Sequence, residues 1–442
     1  MHAFPRLKPL LLVAALTASA PGVAHSEDLI QAYLQARQND PTLALADANL
    51  RSTREGVVQA RSALLPQINA SLGLSQDNRG FKDGAGIPSG HQRSRNLSLN
   101  LSQSLFDLSN YHDLQAAHEQ TRSQDAQYRA ASQNLLIRVA TAYFNVLTAE
   151  DALKFSQANE KSLARELEQA QERYKVGLSA ITDVQDAKAQ HDAAVAQRIS
   201  ARNALDDARE ALTQITGKPV TDLKVLRQQV PLQTPVPNKI SYWVDTAVRN
   251  NPNILAQQFN VDAADSQISA ARDGHLPTLS ATVSYGKGAN WTTRLGYNKV
   301  PSSTVIGLTL RIPLFSGGYT QSRVRQSIAQ RDAAEDGLVS QRRLVIRNTR
   351  YYFRSVVAGI SEVEATRQAL LSARKALEAT DAGFKVGTRT IVDVLIGQQN
   401  LINAQQSYSQ ARHQFVLNQL LLKQTAGTLT VKDLESVNAL LE

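Results

Sequence analysis

Two kinds of hydrophobic pattern alternate along this chain. In four stretches every second residue is apolar, and these are Ile68–Leu74, Leu97–Leu101, Leu279–Tyr285 and Ile306–Ile312. Such alternation predicts four β-strands of about ten residues, each with one apolar and one polar face. Elsewhere apolar residues recur at the 4/3 spacing of a coiled-coil seam, as at Leu135, Val139, Ala142 and Val146. The patterns together predict an α+β chain with long helices.

The two longest helical patterns are predicted to run from Leu108 to Tyr174 and from Tyr319 to Phe384. None of the 14 prolines lies between positions 88 and 219 or after position 313. Because a proline inside a helix costs roughly 3 kcal/mol, these gaps favour uninterrupted helices. At 1.5 Å per residue, each helix of about 65 residues reaches about 100 Å. Shorter helices are predicted to return, at about Asp183–Ile215 and Asp393–Thr425.

The segments between these helices are copies of each other, because Arg173–Val184 and Gly383–Val394 match at a constant offset of 393 − 183 = 210. The matched pairs are Lys175/Lys385, Val176/Val386, Gly177/Gly387, Ile181/Ile391, Asp183/Asp393 and Val184/Val394. Leu65-Pro66 and Leu276-Pro277, which precede strands, repeat at an offset of 211. We interpret the two segments as the tips of two helical hairpins made by internal duplication.

The duplication divides the chain into repeats. The first repeat is predicted at 27–216 and the second at 239–427, each in the order short helix, helix, two strands, long helix, tip and helix. A proline-rich linker at 217–238 joins them, and a short tail at 428–442 ends the chain.

The first 26 residues have the form of a secretory signal peptide. Arg6 and Lys8 precede an apolar run that is too short for a transmembrane helix, and small residues follow. Cleavage after Ala24 or after Ser26 fits this pattern. No later stretch is apolar enough to cross a membrane as a helix. The absence of cysteine fits an exported chain.

Four strands are too few to close a barrel, for which about eight is the lower limit. The alternation alone favours a half-buried sheet in a soluble protein over an outer-membrane barrel. The signal peptide and the flanking helices favour the membrane interpretation. An open sheet in lipid would leave backbone groups unpaired at its edges, so several chains would have to share one barrel. Two chains would give eight strands, and three would give twelve.

We find no constellation of residues that indicates catalysis. The histidines are scattered without metal-binding spacing, and neither a phosphate-binding glycine loop nor a nucleophile elbow occurs. The basic residues are spread out rather than clustered on a nucleic-acid-binding motif. We therefore expect no enzyme activity, no cofactor, no metal site and no nucleic-acid partner.

The chain resembles the TolC family of outer-membrane efflux and secretion channels over nearly its whole mature length. The segments that carry the resemblance are Gly177–Gln185, Val386–Leu395 and the paired Leu-Pro motifs. The resemblance implies a homotrimer with one twelve-stranded barrel in outer-membrane lipid and a long periplasmic α-helical coiled-coil barrel. It also implies an equatorial band built from the short helices, the linker and the tail.

In function, the resemblance implies a passive exit duct for multidrug efflux or type I secretion. An inner-membrane pump of the RND or ABC class would supply the energy through a periplasmic adaptor, a membrane fusion protein. The adaptor would dock on the hairpin tips. The docking residues implied are Val176, Gly177, Leu178, Val386, Gly387 and Thr388.

The resemblance further implies a gate at the periplasmic end. Arg389 would bond to Thr182 or Asp183 of the other hairpin, and Asp393 would project toward the threefold axis, where cations could block the channel. The chain departs from the family pattern at two positions. Phe384 replaces a tyrosine whose hydroxyl bonds an aspartate, and Ile396 replaces a second ring aspartate. We therefore expect fewer polar links and one carboxylate ring.

Three questions stay open from the sequence. Thr390 and Asp393 have the spacing of a capping box, so Asp393 could cap a helix as well as line a gate. Arg343, Arg347, Arg350 and Arg354 share one helix face, which could line the lumen or lie on an outer surface. A secreted coiled-coil scaffold without channel activity is the alternative function.

Overall fold

A computed structural model describes residues 26–79, 90–220, 222–292 and 296–442. The predicted signal peptide at 1–26 therefore falls almost wholly outside the described residues. The first half contains α1 (Leu29–Asn39), α2 (Pro41–Ser62), β1 (Gln67–Arg79), β2 (Gly90–Phe106), α3 (Leu108–Lys175) and α4 (Ile181–Thr216). The second half contains α5 (Ile240–Asn250), α6 (Pro252–Asp273), β3 (Thr278–Thr292), β4 (Gly296–Arg311), α7 (Tyr319–Lys385) and α8 (Ile391–Thr425), and α9 (Val431–Asn438) follows.

The strands of both halves form one antiparallel sheet in the order β1-β2-β3-β4. Ile68 lies opposite Leu101, Leu99 opposite Tyr285, and Leu279 opposite Leu310. Since β2 pairs with β3, the sheet joins the two repeats. Strands β1 and β4 are its two edges, so a single chain leaves the outer backbone groups of both strands without a partner strand.

The two faces of this sheet differ as the alternation predicts. Apolar side chains cover one face and are open to the surroundings: Ile306 is 78% exposed and Leu74 is 77% exposed. Serine pairs line the other face, where the hydroxyls of Ser71 and Ser98 lie 2.7 Å apart and those of Ser75 and Ser94 lie 2.6 Å apart. An exposed apolar band on one face is the arrangement of a sheet that faces lipid.

The strands are longer than the predicted ten residues, and the difference lies at the ends away from the helices. β1 has 13 residues and β2 has 17. Pairing continues through polar positions such as Gln76, which lies opposite Arg93, and Asp77, which lies opposite Gln92. Backbone hydrogen bonds do not require apolar side chains, so the ladder extends past the point where the apolar alternation stops.

The helices confirm the predicted elements to within a few residues at their ends. α3 has 68 residues and α7 has 67, so each is about 100 Å long. Extensive contacts join α7 to α8, α8 to α3, and α3 to α4, so the four helices form a row. On the sheet side of this row, α2 packs on α3, and α6 packs between α3 and α7. No helix among the described residues combines the length and apolarity needed to cross a bilayer.

The return helices α4 and α8 end in matching ways. Gly217 and Gly427 both adopt the left-handed backbone conformation, with φ of 72° and 73°. An asparagine side chain then donates to a free carbonyl at each helix end: Asn39 to Thr216 at 2.8 Å, and Asn251 to Thr425 at 2.9 Å. The termini therefore match in conformation, but the capping residues are not equivalent, because the offset of 211 between Pro41 and Pro252 pairs Asn39 with Asn250 and Asp40 with Asn251.

Two apolar cores hold the short helices against the middle of the long ones. Tyr143 of α3 is buried in the first core, and its hydroxyl donates to the carbonyls of Glu27 at 3.1 Å and Lys224 at 2.8 Å. The linker also pairs with the tail through Val225 and Glu442. In the second core Trp243 of α5 packs with residues of α7 and α8. The short helices, the linker and the tail therefore gather at the middle of the long helices, and their assembly into an equatorial band stays a prediction.

Candidate functional site: the hairpin tips

Both hairpins reverse at a glycine in the left-handed conformation. Gly177 has φ of 74° and Gly387 has φ of 81°. The next residue closes the turn in each case, since the Leu178 N–H donates to the Arg173 carbonyl and the Thr388 N–H donates to the Gly383 carbonyl, both at 2.8 Å. A β-carbon at either glycine would meet no atom within 4 Å. The backbone conformation, and not a lack of space, therefore selects glycine at both tips.

The tips present apolar side chains to the surroundings. Val176 is 68% exposed, Leu178 is 69% exposed and Val386 is 76% exposed. Thr388 stands where the first tip has Leu178, and its hydroxyl donates to the Gly383 carbonyl at 3.1 Å. The predicted docking residues are thus all at the surface, and the apolar ones form a small surface that a partner could cover.

Asp393 lies in the first turn of α8 and forms a capping box with Thr390. Its carboxylate accepts hydrogen bonds from the Thr390 backbone N–H and hydroxyl, both at 2.9 Å, and its own N–H donates to the Thr390 hydroxyl at 3.2 Å. These bonds from Thr390 lower the pKa of Asp393 from its ordinary value, and the Arg389 charge contributes in the same direction. The side chain is therefore held as a carboxylate at neutral pH.

The first tip lacks this cap. Ala180 stands at the helix start where the second tip has Thr390, and it provides no side-chain hydrogen bond. In the part of one chain that the structure describes, the side chains of Thr182 and Asp183 have no hydrogen-bond partner. The two related aspartates thus differ: Asp393 is bonded within its own helix start, whereas Asp183 is free to bond elsewhere.

Arg389 folds back over its own hairpin. A β-carbon placed on Gly383 would lie 2.8 Å from the Cγ atom of Arg389, so this close approach requires glycine at position 383. The described residues of a single chain offer Arg389 no side-chain hydrogen bond to Thr182 or Asp183. The predicted Arg389 link therefore stays a prediction, and it concerns the assembled channel.

A contact between the two hairpins involves Phe384, at the end of α7. The Arg173 guanidinium of α3 lies over the Phe384 ring, 5.1 Å from the ring centroid. The same ring packs against a buried cluster that contains Leu163, Ile391 and Leu395. Phe384 thus lacks a hydroxyl for a polar link, but it joins the hairpins by an arginine–aromatic contact and by apolar packing.

Two further residues lie near the tips. Ile396 is exposed on α8, one turn from Asp393, so it adds no charge beside that carboxylate. Glu166 of α3 faces α7, where Lys385 and Asp381 form an ion pair at 2.6 Å. Burial raises the pKa of Glu166, and the neighbouring Asp381 charge raises it further. Charged groups of both hairpins therefore meet just above the tips.

Sequence reasoning missed Arg173 and Glu166. The repeats could have indicated Arg173. It stands where the second tip has Gly383 (173 + 210 = 383), so it is a difference between two segments that otherwise match closely. Nothing in the sequence indicates that Glu166 faces the other hairpin, because that depends on how α3 and α7 lie side by side. The site as a whole holds the two hairpins of one chain together, and its role as a gate stays a prediction.

Comparison with known proteins places these features in a family. The family model described as outer membrane efflux protein matches residues 32–218 and 243–428, one match in each half. The chain is 37% identical to the outer membrane protein TolC of Escherichia coli over 98% of its own length and 88% of that protein. It is 27% identical to the proteases secretion protein PrtF of Dickeya chrysanthemi, with 98% and 95% covered.

Solved structures have the same fold at lower identity. The Campylobacter jejuni CmeC outer membrane channel superposes with a TM-score of 0.79 at 16% identity, over 94% of this chain and 90% of that one. The outer membrane protein VceC of Vibrio cholerae gives a TM-score of 0.76 at 19% identity, with 90% and 96% covered.

Proposed function

This chain belongs to the outer membrane efflux protein family, and we propose that three copies of it form one duct, which is gated at the hairpin tips. The protein is an outer-membrane channel with a large periplasmic helical part, and it serves as an exit duct. Family membership favours this role over a secreted scaffold without channel activity. The family is one of channel proteins and not of enzymes.

One observation carries the assembly proposal. Each chain supplies a sheet of four strands with two open edges and a lipid-facing apolar band. Two chains would close at the lower limit of barrel size with a filled interior, whereas three chains give twelve strands and room for a pore. The helix row also has two open ends, because α7 and α4 each lack a neighbouring helix on their outer side. A helix of another chain would fill each of these positions.

We further propose that export depends on partners that this chain does not contain. A passive duct supplies no energy, so an inner-membrane pump of the RND or ABC class would act through a periplasmic adaptor. The exposed apolar tips, with Val176, Leu178 and Val386, support docking there. Relatives named for protease secretion and for efflux both align over nearly the whole chain, which supports a role in both processes.

A deletion strain tests this function. We expect loss of the chain to raise sensitivity to several unrelated drugs, to abolish export of a protein secreted by a type I system, or both. A plasmid copy of the wild-type chain should restore what was lost. Unchanged drug sensitivity together with unchanged secretion would contradict the proposal.

We propose that the gate is closed in part by the Arg173–Phe384 contact. Arg173→Gln and Phe384→Leu should each increase the open fraction of single channels by about two- to fivefold for each of the three contacts in the proposed trimer, since a partly exposed contact of this kind is worth about 0.5–1 kcal/mol. The two changes remove the same contact, so the double variant should open no more than the more open single variant.

Phe384→Tyr is the matched control for this prediction. It keeps the ring under Arg173, so the channel should open no more than the wild-type channel does. Independent, additive effects of the two single changes in planar bilayers would show that Arg173 and Phe384 do not act through one contact.

A further inference from the structure

The middle of α7 carries a stripe of arginines that have no acidic partner among the described residues of their own chain. From Gly337 to Ser361 the helix has five arginines and no acidic residue. Four of them are exposed and share one face, and these form the arginine stripe: Arg343, Arg347, Arg350 and Arg354. The ion pairs of α7 among the described residues lie elsewhere on the helix, at Arg331, Arg367, Lys375 and Lys385.

The arginine stripe faces away from the rest of the chain. Val356, Gly359 and Val363 of α7 are buried on the side of α8, where Phe415 packs against this part of α7. With about 100° of rotation per residue, the stripe lies about half a turn around the helix from those residues. Since α7 is one end of the helix row, the stripe lies along the open edge of the chain.

The other end of the row is acidic at its open edge. Leu205 and Leu212 of α4 are buried in the first core, against α3. Asp207 and Glu210 lie about 140° to 200° around the helix from these residues and are exposed. Asp207 accepts one weak hydrogen bond, from Asn203 at 3.3 Å, and Glu210 has no partner within the described residues.

Glu210 of α4 and Arg354 of α7 lie at similar heights along the axes of the long helices. The Arg209–Glu150 ion pair, at 2.9 Å, aligns α4 with α3, and α3 and α7 both run from the sheet to the tips with nearly equal lengths. Ala142 aligns with Tyr351 in the repeats, an offset of 209. Glu210 is then level with about residue 358 of α7, about 6 Å along the axis from Arg354. Long arginine and glutamate side chains can span that distance.

We infer that Arg354, at the end of the arginine stripe nearest the tips on α7 of one protomer, pairs with Glu210 on α4 of the next, forming an ionic seam between copies of this chain near the middle of the long helices. The inference rests on the assembly proposed above. Arg354 is the stripe residue closest in height to Glu210, whereas Arg350 lies about 12 Å from the height of Glu210 along the axis, beyond the end of α4 at Thr216. The open edge of α7 is basic and the open edge of α4 is acidic. A second copy of this chain is therefore the partner that fits the arginine stripe.

Charge reversal and rescue test the seam in the full-length chain. We expect Arg354→Glu to lower the dissociation temperature of the detergent-solubilised trimer by about 2 °C or more, and Glu210→Arg to do the same. Combining the two changes should restore most of the loss, because the charges are exchanged across the seam. Lys161→Glu, on α3 inside the row, is the matched control and should not shift the temperature.

The outcomes separate the seam from the assembly. The seam would be overturned if the dissociation temperature of the trimer did not change with either reversal, or if it fell further when the reversals were combined. Either result would leave the channel assignment intact. A trimer that is unchanged while the arginine variant alters the ion selectivity of the pore would place the stripe in the lumen and would also overturn the seam. A wild-type chain that is not trimeric would contradict the assembly itself.

Discussion

Replacing Asp393 with asparagine is expected to weaken block of the channel by divalent and trivalent cations by two orders of magnitude or more. In the proposed trimer, three copies of this carboxylate surround a narrow axis, and Ile396 supplies no second ring. Unit charges about 4 Å apart interact by about 1 kcal/mol even in water, so a multivalent cation among three carboxylates gains several kcal/mol. The measurement is the blocking constant for such cations in single-channel recordings.

Asparagine is the informative substitution because it separates the two roles of Asp393. Its amide oxygen can still accept the hydrogen bonds from Thr390, so the start of α8 should remain capped while the charge is lost. Asp433, which forms the same capping box with Thr430 in the tail, provides the matched control. Asp433→Asn should leave the block unchanged. Strong block that persists in Asp393→Asn would show that the ring lies elsewhere.

Placing charges on the tips is expected to abolish export while leaving the pore intact. In Leu178→Asp with Val386→Asp, two exposed apolar side chains become carboxylates that a docked adaptor would have to desolvate, at a cost of several kcal/mol. The deletion strain carrying this variant should therefore be as drug-sensitive or secretion-deficient as the strain without the gene. The purified variant should conduct ions as the wild type does.

A matched control for the tip variant lies in the linker. Val236 is 85% exposed and far along the chain from both tips, so Val236→Asp adds a comparable charge without touching the proposed docking surface. It should restore export fully. Normal export by the tip variant would contradict docking at Val386 and Leu178, whereas loss of conductance by that variant would show that the tips shape the pore itself.

The order and type of the elements could be predicted because the duplication places each sequence motif that marks an element in the chain twice. The two Leu-Pro motifs and the two glycine tips have the same spacing, and α3, α4, α7 and α8 begin and end within a few residues of the predicted positions. The strand ends could not be predicted, since pairing through Gln76 and Asp77 depends on backbone hydrogen bonds and not on apolar alternation.

The candidate site was predictable in its residues but not in its contacts. The capping box of Asp393 follows from its spacing with Thr390, and the structure has that box. The Arg173–Phe384 contact and the fold of Arg389 over Gly383 depend on how two long hairpins lie against each other. Sequence periodicity gives the buried face of one helix, but it does not give the rotation of that helix relative to a helix from the other repeat.

The most direct test of the shared duct is the mass of the detergent-solubilised chain, measured by native mass spectrometry and followed by reconstitution of the same sample into a planar bilayer. We predict a complex of three chains that conducts ions, because four strands with two open edges cannot seal themselves in lipid. A chain that stays monomeric and stable in buffer without detergent, and that gives no conductance, would contradict this account.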